Sequence, residues 1–137
     1  MTDETERVKQ VLLIRRDLGM RRGKEVAQGS HASMGFLTDR LRPTTGEGAS
    51  SESFTLTLSA VEQHWVAHGM AKICLRVSSE EELIECHVKA LAAGLVTTLI
   101  RDSGRTEFGG VPTLTACAIG PDTARRIDAI TGELSPY

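Results

Sequence analysis

Two stretches of the chain concentrate residue types able to do chemistry. The first, MRRGKEVAQGSHASMG, runs from Met20 to Gly35. On a helix advancing about 100° per residue, Lys24, Gln28, His31 and Gly35 fall within about 60° of one another, with Val26, Met34 and Leu37 on the far side. This spacing predicts a polar stripe that faces away from the core. An amine, an amide and an imidazole so aligned can stabilise an anion, or can simply make a solvated helix face, and periodicity leaves both readings open. The second stretch is IRDSGRTEFGG, Ile100 to Gly110. Asp102 is placed at the carboxyl end of an inner strand, where open α/β sheets bind ligands. There a carboxylate can orient a water or hydroxyl, Arg105 can clamp a phosphate or carboxylate bidentately, and Thr106 offers a hydroxyl. The alternative is an Asx turn between Asp102 and Gly104.

Other constellations are weaker. His64 and His68 stand four apart in HWVAH, but Trp65 occupies the place of the glutamate that HExxH zinc chemistry requires. No phosphate-binding glycine loop, GxSxG elbow or plausible Cys/His nucleophile pair is present. The three cysteines, Cys74, Cys86 and Cys117, lie in apolar runs without metal-ligand spacing and read as buried free thiols of a reducing compartment. No metal and no cofactor are expected.

The elements that must position these residues follow from pattern. VKQVLLIR, Val8 to Arg15, reads as a buried first strand. A connection over 17–23 precedes a helix from Gly23 or Lys24 to about Leu41, where Pro43 forbids continuation. Residues 42–53 have the composition of a flexible loop, and SFTLTL after them is too short to separate strand from loop. Ser59 with Glu62 and Ser79 with Glu82 form capping boxes before two helices that close at Gly69 and Gly94. Strands are expected over 71–77, 95–100 and 113–119. Gly120-Pro121 is expected to turn the chain and Asp122 to cap a last helix ended by Gly132. The order β, α, α, β, α, β, β, α predicts an α/β fold: a single compact domain over 8–137 behind a flexible tail of residues 1–7. Its small, mostly four-stranded mixed sheet should carry helices on both faces, with strands two and three parallel.

Composition agrees with one domain. The chain has 137 residues, 40% hydrophobic and 25% charged, and only 4% aromatic, so base stacking on an aromatic platform is not its main binding mode. A net charge of -2 argues against coating nucleic acid by bulk charge. Arg15, Arg16, Arg21, Arg22 and Lys24 nevertheless crowd into ten residues as a local basic patch. The polar, acidic beginning and the lack of a long apolar run predict a cytoplasmic protein without membrane association.

In order along the chain, KQVLLIRRDLGMRRGKEVAQGSHAS, HWVAHGMAKICLRV, LAAGLVTTLIRDSGRTE, TLTACAIGP and DAITGEL resemble the motif blocks of the type-2 peptidyl-tRNA hydrolases. The resemblance implies a compact α/β domain, commonly a homodimer, that hydrolyses the ester between a peptide and the terminal ribose of tRNA without a metal or organic cofactor. It carries the family's catalytic positions onto Lys24, Gln28, Asp102, Thr106 and Thr115, with His31 in chemistry or in support. In this reading Asp102 orients or deprotonates the nucleophile, helped by the two threonine hydroxyls. Lys24 and Gln28 stabilise the oxyanion or hold the ribose, and Arg15, Arg16, Arg21, Arg22 and Arg105 meet phosphates at the tRNA acceptor end.

Some positions depart from the family pattern: Arg22 for a lysine, Gly29 for a Cys or β-branched residue, Met70 for a glutamine, and Gly109-Gly110 in a loop usually rich in proline. A non-catalytic RNA- or protein-binding domain of the same fold is the alternative function. A related esterase for another small acylated substrate is a third.

Overall fold

The computed structural model describes residues 6–41 and 54–137. Most of the expected tail and all of the expected 42–53 loop lie outside the described residues. The elements are β1 (Val8–Arg15), α1 (Arg22–Leu41), α2 (Ala60–Ala67), β2 (Lys72–Val77), α3 (Glu80–Ala92), β3 (Thr97–Asp102), β4 (Thr113–Thr123) and α4 (Ala124–Thr131). The strands form one sheet in the order β2-β1-β4-β3. β1 runs parallel to β2 and antiparallel to β4, and β4 runs antiparallel to β3. β2 and β3 therefore share a direction, as expected, but occupy opposite edges, because β4 inserts beside β1. Asp102 accordingly ends an edge strand and not an inner one.

Strand β1 is apolar from Val11 to Ile14 because both its faces are covered there. Val11 and Leu13 pack with Leu83, Cys86 and Ala90 of α3 and with Ile127 of α4. Ile14 packs on the opposite face with Ala32 of α1 and with Ala116 and Ala118 of β4, and Leu12 packs against that cluster from its margin. α1 comes close to the sheet because its inner residues are small. A Cβ added at Gly35 would stand 2.2 Å from Thr98 Cγ2, so no side chain fits there without displacement. Gln10, fully buried in β1, ties this layer together: its amide donates to Ser33 O at 2.9 Å and accepts from Ser33 Oγ at 2.5 Å.

The Ser59 capping box forms, with Ser59 N donating to Glu62 Oε1 at 2.8 Å and Glu62 N to Ser59 Oγ at 3.2 Å. Arg40, in the last turn of α1, forks onto the same Glu62 carboxylate at 2.8 and 2.7 Å, locking α1 to α2. Ser79 Oγ likewise accepts from Glu82 N at 3.1 Å. Residues 54–59 form no strand.

At the far end the expectation is corrected. Gly120-Pro121, a cis peptide, does not turn the chain; β4 continues through it to Thr123, paired with Val8 and Lys9 of β1. Thr123, not Asp122, is the residue at the N-cap of α4. Asp122 serves the start of that helix differently, accepting from Thr123 N at 2.7 Å and from Arg126 Nη1 at 3.0 Å.

Candidate active site

Two elements bring the chemistry together. The first turn of α1 supplies Lys24, one turn later comes Gln28, and the end of β3 supplies Asp102. Lys24 Nζ donates to Asp102 Oδ1 and to Thr106 Oγ1, each at 2.9 Å. Gln28 Nε2 donates to the same Oδ1 at 3.3 Å, and Gln28 Oε1 accepts from Thr115 Oγ1. Lys24, Gln28 and Gly35 of the stripe thus face the sheet, opposite to the expectation, while His31 stays exposed. Gln28 is 4% exposed, whereas Val26 and Met34 are 64% and 56% exposed.

The reversal has a simple cause. The buried side of α1 is built from Gln28, Gly29, Ala32, Ser33, Gly35 and Phe36, so side-chain size and apolarity do not mark it.

The loop after Asp102 completes the cluster. Gly104 N donates to Asp102 Oδ2 at 2.8 Å, so the Asx turn forms as part of the site and not in place of it. Gly104 has φ +82, and a Cβ there would meet Val111 O at 2.1 Å, so only glycine fits. The turn directs Thr106 back toward Lys24 and brings the Phe108 ring within 5.9 Å of Lys24 Nζ. Arg21 Nε bonds Glu107 Oε1 at 3.0 Å, joining this loop to the approach to α1. Glu107 and Phe108 escape the sequence reading because neither carries a motif; their roles arise only where the loop folds over α1.

Thr115 reaches the site through a break in register. Ile100 pairs with Ala116, but Arg101 pairs with Leu114, leaving Thr115 as an extra residue opposite β3. The bulge reverses the alternation of β4. Leu114 joins the α3 side of the sheet, and Thr115 turns to Gln28 on the α1 side. Thr115 is fully buried. Its hydroxyl donates to Gln28.

Electrostatically, Asp102 is held ionised. Its pKa lies below the ordinary carboxylate value, chiefly through the hydrogen bond from Lys24, then through the Gly104 N–H, against the opposing effect of burial. The side chains of Lys24 and Asp102 are 15% and 12% exposed. Oδ1 takes two donors and Oδ2 only one, which leaves an acceptor direction at Oδ2 for an incoming water.

The remaining expected residues divide. Arg16, Arg22 and Arg105 are exposed, and Arg21 is exposed while paired with Glu107. Arg15 is corrected: its side chain is buried, with Nε and Nη2 on Asp17 at 3.1 and 2.5 Å and Nη1 on Leu114 O at 3.0 Å, so all three guanidinium nitrogens are engaged inside the fold and the group does not stand out to meet phosphate. His31 is exposed and shares no hydrogen bond with the cluster. Among the described residues no group of three or more His, Cys, Asp or Glu side chains is arranged to hold a metal ion, and no helix is long and apolar enough to cross a membrane.

Comparison with known proteins gives the family. The family model described as peptidyl-tRNA hydrolase PTH2 matches residues 8–137. The chain belongs to that family. Its activity is accordingly hydrolysis of the peptidyl-tRNA ester. It is 41% identical over 127 residues to a peptidyl-tRNA hydrolase of Methanocaldococcus jannaschii, covering 93% of this chain and 97% of that one. To peptidyl-tRNA hydrolases of Aeropyrum pernix and Halobacterium salinarum it is 38% identical, covering 96% and 95% of this chain and 98% and 100% of theirs. A solved Agrobacterium protein of unknown function shares the fold with TM-score 0.56 at 12% identity, over 95% of this chain and 97% of that one.

Proposed function

We propose that Asp102, Lys24 and Thr106 form the reacting face of this hydrolase and that Gln28 and Thr115 hold it in place. The observation that carries the reading is the junction of Lys24 Nζ with Asp102 and Thr106, each at 2.9 Å, at the first turn of a helix. The unoccupied acceptor direction of Asp102 Oδ2 orients a water toward the ester carbonyl. As the water adds, its proton passes to Asp102 and is returned to the departing ribose oxygen, so that one water yields a peptide carboxyl and a free tRNA hydroxyl. The lowered pKa of Asp102 favours prompt return of that proton. Lys24, with the positive end of the α1 dipole behind it, stabilises the tetrahedral oxyanion, and the Thr106 hydroxyl supplies a further donor.

The exposed Arg16, Arg21, Arg22 and Arg105 serve as contacts for phosphates of the acceptor end. His31 supports α1 without entering the chemistry. A homodimer in the cytoplasm, working without metal, completes the proposal.

The test is release of an N-blocked amino acid from its tRNA, with and without EDTA, by the wild type and by Asp102→Asn. Loss of about 10²–10⁴-fold in the variant, with EDTA inert, is expected. Equal rates for the two proteins overturn the mechanism. Salt-sensitive tRNA binding without hydrolysis by the wild type would favour a non-catalytic domain. Sedimentation equilibrium tests the dimer.

A further inference from the structure

A groove of about 550 Å³ opens on the other flank of α1 from Asp102. It exists because α1 lies over β1, β3 and β4 and leaves the neighbouring face of β2 uncovered. Leu12 and Ile14 of β1 and Val26 and Met34 of α1 give it apolar walls, and its volume is that of a small-ligand site. Gly29 opens it further. A Cβ at that position would stand 3.7 Å from both Leu12 Cδ1 and Ile14 Cδ1, so a larger side chain would fill the space.

One polar feature in the groove asks for a partner. Glu25 Oε2 is enclosed and has no hydrogen-bond partner. The Glu25 carboxylate raises the pKa of the Tyr137 phenol, and its charge adds to burial in raising that of Cys74. A buried carboxylate oxygen left unpaired is costly, and an N–H donor relieves it. Arg22 and Lys72 also line the groove, and Glu25 is the one carboxylate side chain among its lining residues, so it is the group there that suits the amino end of an apolar peptide.

The groove and the Lys24–Asp102 cluster share the first turn of α1. Lys24 faces β3 while Arg22 and Glu25 line the groove. Between them Gly23 is exposed, with open space where a Cβ would stand. The first backbone bond of the helix is Glu25 N to Arg21 O at 3.0 Å, so the N–H groups of Arg22, Gly23 and Lys24 have no intrahelical carbonyl.

We propose that the groove receives the amino-terminal residues of the substrate's peptide, which crosses α1 over Gly23 while its ester lies at Asp102. The proposal rests on the reading of Lys24 and Asp102 as the reacting face. A helix is about 10–12 Å across and an extended peptide advances about 3.3–3.6 Å per residue, so roughly four residues reach the groove. A single N-blocked amino acid does not.

Cys74 lines the groove and is exposed, whereas Cys86 and Cys117 are buried, so maleimide labelling of Cys74 reads occupancy without any turnover. The probes are Leu-Leu-Leu-Leu-amide and its N-acetylated twin. The free-amine peptide should slow labelling at least threefold and the acetylated one less. Glu25→Gln should erase that difference, and Gly29→Leu should abolish protection. In hydrolysis, Gly29→Leu should raise KM for tetraleucyl-tRNA about tenfold and leave kcat/KM for N-acetyl-leucyl-tRNA within twofold. Circular dichroism establishes that each variant is folded, and Gly29→Ala serves as the control that fills little of the groove.

No protection by either peptide overturns the proposal. So does protection that grows with protein concentration in the absence of peptide, which would place a second copy of the chain in the groove. A failure of the hydrolase reading looks different: neither tRNA substrate turns over, yet peptide still protects Cys74.

Discussion

Thr115→Val separates positioning from chemistry. The substitution is nearly isosteric and removes only the hydroxyl that donates to Gln28 Oε1. Gln28 is 4% exposed and Thr115 fully buried, so water cannot replace the lost donor. A buried acceptor left unsatisfied costs about 1–3 kcal/mol. For a domain of this size that corresponds to a fall in Tm of about 4–12 °C. Calorimetry on Thr115→Val, Gln28→Leu and the double variant checks the origin of the cost. Once Gln28 has no oxygen to satisfy, Thr115→Val should cost less by about 1 kcal/mol or more.

The same variant frees the Gln28 amide to rotate away from Asp102 Oδ1. Since Thr115 does not reach the substrate, kcat should fall about tenfold, equivalent to about 1.4 kcal/mol, with KM within twofold. Additive stability effects, or a change confined to KM, would refute the relay from Thr115 through Gln28 to Asp102.

Three further outcomes follow from the same geometry. The pKa of Glu62 is lowered, first by its hydrogen bond from Arg40, so the unfolded chain takes up the proton first as pH falls. Its contribution is complete above the unfolded value of about 4.3 and is lost as pH falls through the lower folded value; the Tm difference between wild type and Glu62→Gln should therefore shrink between about pH 5 and pH 3. Gly35→Ala should destabilise by about 1–3 kcal/mol in urea titration, because Thr98 sits on a strand and must be displaced. Arg105→Ala should weaken tRNA binding and reduce the salt slope by about 0.7–0.9 if it meets one phosphate, whereas replacing the buried Arg15 should lower stability and leave that slope unchanged.

How much of this was legible in the sequence differs from residue to residue. β1 is readable to the residue because its centre, Val11 to Ile14, is covered on both faces and is unbroken apolar sequence, and Ser59 with Glu62 announces its helix because the cap is a local exchange of hydrogen bonds. The gathering of Lys24, Gln28 and Asp102 was legible through family motifs, though which way they faced was not. Small residues line the inner side of α1, so its periodicity points outward. Arg15 could not be told from its exposed neighbours, since what buries it is Asp17 together with a carbonyl 99 positions away. The bulge in β4 and its far end were hidden for one reason: register belongs to a pair of strands, and no pattern within LTACAIGP shows where β1 and β3 will meet it.

The bulge at Thr115 also acts as a reading frame. Upstream of it β4 alternates in one phase and downstream in the other, so the length of this strand, as much as its composition, decides which side chains meet α1. Removing a single residue there would close the bulge and merge the two phases, leaving one side chain facing α1 where Thr115 and Ala116 now both do. A protein built in this way tolerates exchange of one apolar residue for another along β4 far better than it tolerates a deletion of one. Variation in chain length should therefore be admitted in the Glu107–Pro112 loop, ahead of the frame, and refused between Thr113 and Ala116.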